Sequence, residues 1–130
     1  MIIIDTDHCV EILRGNKKVV SARMKRPETV SVTWMTVGEL YYGAAKSKDP
    51  DGNFSLVDAF LLTVEVRFPT MKSMRLFGEV KARLAREGVN LADADLLIAA
   101  VALETGSALV TGNTRHFERV PGVILENWTR

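Results

Sequence analysis

The residues Ile2-Ile3-Ile4-Asp5-Thr6-Asp7 open the chain with three β-branched side chains that are followed directly by acids. A short β-branched run of this kind is typical of a buried strand. From residue 7 to residue 14 the apolar spacing becomes helical, and Gly15 is a natural place for that helix to end. This stretch therefore predicts a buried strand that delivers Asp5 to the start of a helix.

The same alternation of strand and helix continues to the end of the chain. Further strands are predicted at residues 30–33, 64–66, 108–111 and 123–125. Further helices are predicted at residues 17–26, 37–46, 54–63, 72–87 and 94–104, the last of them almost wholly apolar and therefore buried. The turn-forming residues 49–53 are predicted to connect two of these helices. Strands that alternate with helices predict an α/β fold, with a mostly parallel sheet covered on both faces.

Composition is that of a soluble globular protein. The 130 residues fit one domain, 1–130, and a hydrophobic fraction of 47% with 25% charged residues argues against disorder. The single Cys9 excludes an internal disulfide and suits a reducing compartment. Acids interrupt the apolar start, so no secretory signal is predicted, and the longest apolar run, 96–103, is too short to cross a bilayer. We therefore expect a soluble, cytoplasmic protein with no membrane partner.

The charge balance argues against one class of nucleic-acid-binding protein. A net charge of +1, from 17 basic and 16 acidic side chains, lacks the strong basic excess of a non-specific nucleic-acid coat. Basic residues are crowded into the first quarter of the chain, where, considered alone, they are better explained by solvated helix faces than by a phosphate-binding surface.

Polar residues occur where an α/β sheet places its ligand crevice, beyond the carboxyl ends of the strands. Asp5 ends the first predicted strand, Thr111 ends the fourth, and Asn113 follows shortly after it. Asp93 and Asp95 stand at the start of a predicted helix. These positions predict that the chemistry of the protein lies at this edge.

Two of the acids have structural alternatives. Asp5 could be only a helix cap, but Thr6 and Asp7 are both available to cap the helix that follows. Glu39 could complete a capping box with Thr36, because the two residues have the required spacing. For Glu39 the capping role and a functional role both stay open.

Asp95 is the most informative acid. Its spacing places it on the same helix face as Ile98, Ala99 and Ala102, which should pack against the sheet. A carboxylate at the head of a buried face is costly to desolvate unless it is paired or bound to a metal. The alternative, a first-turn acid that interacts with the helix dipole, is worth at most about 1 kcal/mol. We therefore assign Asp95 to the site and Asp93 to the N-cap, with Asp93 as a possible outer-sphere member.

Convergence of Asp5, Glu39 and Asp95 would require protonation, basic partners or a divalent cation. Two like charges about 4 Å apart cost about 4 kcal/mol at an effective dielectric constant of 20. Oxygen ligands without cysteine or histidine favour Mg²⁺ or Mn²⁺ over zinc. His8 and His116 are expected to be solvated or locally hydrogen-bonded, His116 in a polar loop, and Cys9 to be a small core residue.

Four motifs in order give the chain a resemblance to the VapC-type toxins of the PIN-domain family. They are Ile2-Ile-Ile-Asp5-Thr-Asp, Ser31-Val-Thr-Trp-Met-Thr36-Val-Gly-Glu39-Leu-Tyr-Tyr-Gly43-Ala, Asp95-Leu-Leu-Ile-Ala-Ala-Val-Ala and Leu109-Val-Thr111-Gly-Asn113-Thr-Arg-His-Phe117-Glu-Arg-Val-Pro-Gly. The ending Glu126-Asn127-Trp128 also resembles that family. Each motif alone is weak, but together they span nearly the whole chain.

The resemblance implies a fold, an activity and a set of site residues. The fold would be a three-layer α/β/α sandwich with four to five strands. The activity would be that of a Mg²⁺- or Mn²⁺-dependent endoribonuclease, in which a metal-activated water attacks the RNA phosphodiester. Asp5, Glu39 and Asp95 would be catalytic and hold the metal. Asn113 falls on a fourth family position that is often Asp, so one formal negative charge fewer is available to a second metal.

The resemblance also implies supporting residues and partners. Thr111, Thr6 and Asp93 would support the site. The protein would be the toxin of a type II toxin–antitoxin system, with a cognate VapB-like antitoxin occupying the acidic crevice and a homodimer as its own assembly.

Two interpretations from other classes are weaker. A haloacid-dehalogenase-like phosphatase would use Asp5 as a covalent nucleophile. That class would want Thr or Val where Cys9 stands, and a glycine before the acids at Asp93 and Asp95 that is missing here. A receiver-like signalling domain would need an Asp at the end of the third strand and a Lys after the fifth, and the sequence has neither.

Overall fold

The computed structural model describes all 130 residues, which form five strands and seven helices. The strands are β1 (Ile2–Ile4), β2 (Val30–Thr33), β3 (Glu65–Arg67), β4 (Ala108–Val110) and β5 (Ile124–Glu126). The helices are α1 (Thr6–Leu13), α2 (Lys17–Met24), α3 (Trp34–Ala45), α4 (Pro50–Leu61), α5 (Met71–Arg86), α6 (Asp93–Thr105) and α7 (Thr114–Phe117). No helix is both long enough and apolar enough to cross a membrane.

The strands form one sheet in the order β3-β2-β1-β4-β5, and every neighbouring pair is parallel. The predicted parallel α/β sheet is therefore confirmed. β1 lies in the middle, and all three of its residues are fully buried. A three-residue strand that is buried on both faces must be apolar throughout, which explains the run of isoleucines.

Alternation along the strands creates two cores, one on each face of the sheet. Ile2 and Ile4 pack into a core with residues of α1 to α4, among them Cys9, Leu40 and Phe60. Ile3 points to the other face and packs into a core with α5, α6 and α7. Helices thus cover both faces, which confirms the expected three-layer sandwich.

Several helices begin earlier than the sequence predicts. α4 starts at Pro50 because Asp49 caps it and proline occupies the first helical turn. The predicted turn at 49–53 is therefore wrong, since its proline and its acids open a helix. α3 starts at Trp34, directly after β2, and is capped by Thr33, whose hydroxyl accepts from the backbone N–H of Thr36.

α6 is the most buried helix and it begins at the site. Six of its thirteen residues are buried, so it must pack between the sheet and α5. Gly106 ends it in the left-handed conformation, at φ 65°, which favours glycine. Its first residue is Asp93, and Ala92 occupies the N-cap without a side-chain hydrogen bond. The prediction of Asp93 as the N-cap is therefore wrong.

Candidate active site

The central strands bring two of the predicted site residues together. Ile4 of β1 is the partner of Val110 of β4, and the backbone N–H of Asp5 donates to the carbonyl of Val110 at 2.8 Å. Asp5 and Thr111, each one residue further along, therefore lie side by side at the carboxyl edge. The order of the strands reverses direction between β1 and β4, and in parallel sheets that point is where ligands bind.

Asp5 is the most buried acid of the site. Its side chain accepts from the hydroxyl of Thr111 at 2.8 Å and from the backbone N–H of Thr6 at 2.8 Å. Burial raises the pKa of Asp5 to about 6, aided by the charges of Asp7 and Asp95 and opposed by these two hydrogen bonds. Asp5 is also the N-cap of α1, so the expectation that Thr6 or Asp7 takes that role is wrong. It caps because the strand runs into the helix without a loop.

Thr111 connects Asp5 to Asn113. The fully buried hydroxyl of Thr111 donates to Asp5 and accepts from the backbone N–H of Asn113 at 3.0 Å. The backbone N–H of Thr111 donates to the carbonyl of Glu126 in β5. Asn113 itself is exposed at the edge of the site.

Glu39 reaches the site through Thr6. The hydroxyl of Thr6 donates to Oε1 of Glu39 at 2.7 Å and lies 3.0 Å from the hydroxyl of Thr36. The predicted capping box between Thr36 and Glu39 is wrong, because Thr33 caps α3 and leaves both side chains free for Thr6. Of the two alternatives for Glu39, the structure thus removes the capping one.

Asp95 is held by a histidine that the sequence did not indicate. Nε2 of His116 lies 2.9 Å from Oδ2 of Asp95, and both side chains are half-buried. His116 belongs to the short helix α7, so its predicted placement in a polar loop with only local hydrogen bonds is wrong. A contact across 21 residues leaves no periodic signal, and no pattern in the sequence could have revealed it.

Asp93 turns away from the other acids. Its Oδ1 accepts from Nζ of Lys81 at 2.9 Å, and both side chains are more than half exposed. An exposed pair of this kind is worth less than about 1 kcal/mol. The structure gives Asp93 a surface ion pair with α5, and it shows no contact between Asp93 and Asp5 or Asp95.

Asp7 and His8 add a second polar cluster beside the loop at Thr111. Asp7 accepts from the backbone N–H of Gly112 at 2.8 Å and lies 2.9 Å from Nδ1 of His8. Burial alone would raise the pKa of Asp7, but the hydrogen bonds from His8 and Gly112 outweigh it and lower the pKa below its ordinary value. His8 is fully buried and not solvated, and its Nε2 accepts from the backbone N–H of Trp128 at 3.0 Å.

The acids do not form a ready-made three-ligand cage. No three His, Cys, Asp or Glu side chains lie close enough together to hold an ion. Asp5 and Asp95 are nevertheless near enough for the charge of Asp95 to raise the pKa of Asp5. Mg²⁺ is usually bound by only one or two carboxylates and keeps several waters, so this pair of oxygen donors fits a hard divalent cation.

Comparisons with known proteins find similar proteins over nearly the whole chain. A model of the PIN-domain family matches residues 2–123. Ribonuclease VapC2 of Rickettsia felis is 31% identical over 98% of both chains. The tRNA(fMet)-specific endonuclease VapC of Salmonella typhimurium is 32% identical over 97% of this chain and 96% of its own.

Solved structures of similar proteins share the fold of this chain. The structure of VapBC2 from Rickettsia felis bound to a promoter DNA fragment superposes with a TM-score of 0.92, at 32% identity over 98% of this chain and 99% of that one. The structure of DNA-bound VapBC from Salmonella typhimurium also gives 0.92, at 30% identity and the same two coverages, 98% and 99%.

Proposed function

The chain belongs to the PIN-domain family, among the VapC ribonucleases, and on this basis we propose that it is a divalent-metal-dependent endoribonuclease and the toxin of a type II toxin–antitoxin system. The observation that carries the proposal is the burial of Asp5, a residue that is only 8% exposed and near enough to Asp95 for its pKa to be raised by that charge, with no Lys or Arg within salt-bridge distance of either acid. A buried acid in that position is costly unless a cation shares the site.

We assign the metal to Asp5 and Asp95, with Glu39 joining directly or through a water. Each oxygen of Asp5 accepts one hydrogen bond and keeps a lone pair for a cation. His116 fixes one oxygen of Asp95 and leaves the other available. Mg²⁺ or Mn²⁺ bound there would activate water for attack on a phosphodiester and offset charge on the phosphoryl oxygens.

The remaining site residues orient the reacting groups. Thr111 holds Asp5 in place and fixes the backbone of Asn113, whose exposed amide can hydrogen-bond to the substrate. Thr6 keeps Glu39 pointed at the crevice. Asp93 has no such link, so its proposed contribution is limited to the rim of the site.

RNA is the proposed substrate, and tRNA is the first kind to test. A relative that is 32% identical over nearly the whole length is named a tRNA(fMet)-specific endonuclease. Unpaired segments such as tRNA loops are the easiest to place in a narrow crevice, because their phosphates are not stacked into a duplex. The expected place of action is the cytoplasm, where tRNA works.

A VapB-like antitoxin is the proposed protein partner. The neighbouring structures from Rickettsia felis and Salmonella typhimurium are VapBC complexes. A basic side chain of the antitoxin would offset the charges of Asp5 and Asp95 in place of the cation. For the toxin itself we propose a homodimer.

Replacing Asp95 tests the nuclease and has a matched control two residues away. Asp95→Asn should reduce cleavage of tRNA by about 100-fold or more, because it removes a metal ligand, whereas Asp93→Asn should change the rate by less than about three-fold. Cleavage by the wild type should stop with EDTA and return with Mg²⁺ or Mn²⁺. An unchanged rate in Asp95→Asn, with both variants folded, would overturn the assignment.

A cellular experiment tests the toxin role. The wild type expressed without an antitoxin should arrest growth and create new RNA 5′ ends, and the Asp5→Ala variant should do neither. Growth arrest that persists in Asp5→Ala would point to a different activity. The family match gives no support to the phosphatase alternative, in which Asp5 would be a covalent nucleophile.

A further inference from the structure

A chain of hydrogen bonds connects the C-terminal segment to the loop that carries Thr111 and Asn113. We propose that Asp7 and His8 are positioning residues, which hold this loop in its active arrangement by tying Gly112 to the backbone of Trp128. The consequence for cleavage rests on the proposed nuclease function. The network itself rests on the contacts alone.

The state of His8 follows from its partners. The backbone N–H of Trp128 can only donate, so Nε2 of His8, 3.0 Å away, must be the acceptor. The proton of the neutral ring is therefore on Nδ1, which donates to Oδ1 of Asp7 at 2.9 Å. Because the ring is fully buried and both nitrogens are bonded, the tautomer is fixed.

Asp7 needs both of its oxygens. Oδ1 accepts from His8 and Oδ2 accepts from the backbone N–H of Gly112 at 2.8 Å. An asparagine has one side-chain oxygen in place of two and cannot accept from both donors in this geometry. The residue at 112 is also constrained, because a Cβ there would lie 2.8 Å from Oδ2 of Asp7. The carboxylate and the glycine thus fit each other.

The bond to Gly112 acts on the site through its neighbours in the chain. Thr111 donates to Asp5, and Asn113 donates its N–H back to the hydroxyl of Thr111. Gly112 is the residue between them, so the bond to its N–H fixes the peptide plane that joins Thr111 to Gly112 and limits the movement of both neighbours. Without Asp7, the N–H of Gly112 would lose its hydrogen bond, and the loop would be held at its two ends, by the bonds of Thr111 and by the bonds that α7 donates to the carbonyl of Asn113.

The C-terminal segment is the other end of the network. Trp128 is only 6% exposed and belongs to the same core as Ile2 and Ile4. Its ring meets that of His8 edge-on, with 6.2 Å between centroids. The segment from Glu126 to Trp128 therefore holds the loop twice, directly at Thr111 and through His8 and Asp7 at Gly112.

The kinetic test uses Asp7→Asn, with Glu11→Gln in the same helix as a control that removes the same charge. Asp7→Asn should lower kcat about ten-fold at nearly unchanged KM, because losses of this kind behind metal-binding residues cost about 10- to 100-fold. Glu11→Gln should leave both constants unchanged. Equal effects of the two changes, or no effect of Asp7→Asn on kcat, would overturn the positioning role.

Coupling between the two residues separates positioning from general stabilisation. His8→Phe keeps an aromatic ring against Trp128 but removes the ring N–H. In Asp7→Asn that ring N–H competes with the N–H of Gly112 for the one side-chain oxygen that remains. The double variant should therefore cleave at least as fast as Asp7→Asn alone, whereas independent effects would multiply. Multiplied losses would overturn the network.

A spectroscopic test does not depend on any activity. Nitrogen-15 NMR of the wild-type protein should show His8 protonated at Nδ1 and unprotonated at Nε2. The side chain of residue 7 lies at the surface, so Asp7→Asn should not impair folding. Asp7→Asn should shift the amide signals of Gly112, Asn113 and Trp128, and Glu11→Gln should not. The opposite tautomer or unmoved signals would overturn the proposal. A wild type that cuts no RNA, with these signals as expected, would refute only the nuclease function.

Discussion

The carboxylate of Asp5 is placed where its charge is least favourable. It is nearly inaccessible, and the charges of Asp7 and Asp95 add to the cost of burial, so its pKa rises from 3.8 to about 6. Active sites often hold such groups, because the interaction that offsets the cost belongs to a ligand and not to the fold. The residue is therefore expected to lower the stability of the metal-free protein.

Replacing Asp5 by Asn should stabilise the metal-free protein, in a manner that depends on pH. Between about pH 4 and 6 the folded protein keeps a proton that the unfolded chain has lost, so stability falls as the pH rises through this window, by up to about 3 kcal/mol. Asp5→Asn removes this loss. Its gain in the free energy of unfolding over the wild type should be about 1–3 kcal/mol larger near pH 7.5 than near pH 4.

Urea unfolding in EDTA at the two pH values measures this difference. The same measurement on Asp93→Asn at the two pH values is the control, because Asp93 is exposed and paired with Lys81. A difference between wild type and Asp5→Asn that is the same at both pH values would contradict the burial of a raised-pKa carboxylate at position 5.

At the scale of elements, the site is made where three helices begin. α1 starts at Thr6, directly after Asp5, and α6 starts at Asp93, two residues before Asp95. α3 starts after Thr33 and carries Glu39 in its second turn. The contact of Thr6 with Thr36 and Glu39 fixes α1 relative to α3. One hydroxyl therefore sets the position of an acid on another helix.

Removal of that hydroxyl should release Glu39. Thr6→Val keeps the shape and the β-branched side chain but cannot donate to Glu39, so we expect cleavage of tRNA to fall about ten-fold. Thr6→Ser keeps the hydroxyl and should stay within about three-fold of the wild type. Initial rates at saturating substrate give the comparison. A serine variant as slow as the valine one would show that the methyl group matters and the hydrogen bond does not.

At the scale of the whole molecule, the central strand supports both cores. Ile2 and Ile4 face the core under α1 to α4, and Ile3 faces the core under α5 to α7. A substitution in β1 therefore alters packing in the layer that the side chain faces and against the strands on either side. A substitution in the outer strand β5 alters packing mainly at the surface.

Truncation of the same residue type at the two places should show this difference. Ile3→Ala removes fully buried methyl groups and should cost about 2–5 kcal/mol in the free energy of unfolding. Ile124→Ala, at a side chain that is 57% exposed on the edge strand, should cost less than about 1 kcal/mol. Chemical denaturation followed by circular dichroism measures both. Equal losses would mean that the sheet is not centred on β1.

The sequence alone determined the parallel sheet and the order of its strands and helices along the chain. Short parallel strands are buried and therefore apolar, as at Ile2 to Ile4, and helices repeat their apolar residues every three to four positions. Both kinds of element therefore leave local patterns in the sequence. Asp5 and Asp95 each interrupt an apolar pattern, and this is why the sequence proposes them as site residues. Their proposed metal and the role of Asn113 stay predictions.

Only the tertiary structure decided which polar groups meet. It placed Thr33 and not Thr36 at the cap of α3, paired Asp93 with Lys81, brought His116 to Asp95, and put the buried His8 between Asp7 and Trp128. The physical reason is that a hydrogen bond depends on distance in space within about 3 Å. Partners separated by as many as 120 positions leave no mark on the periodicity of either segment.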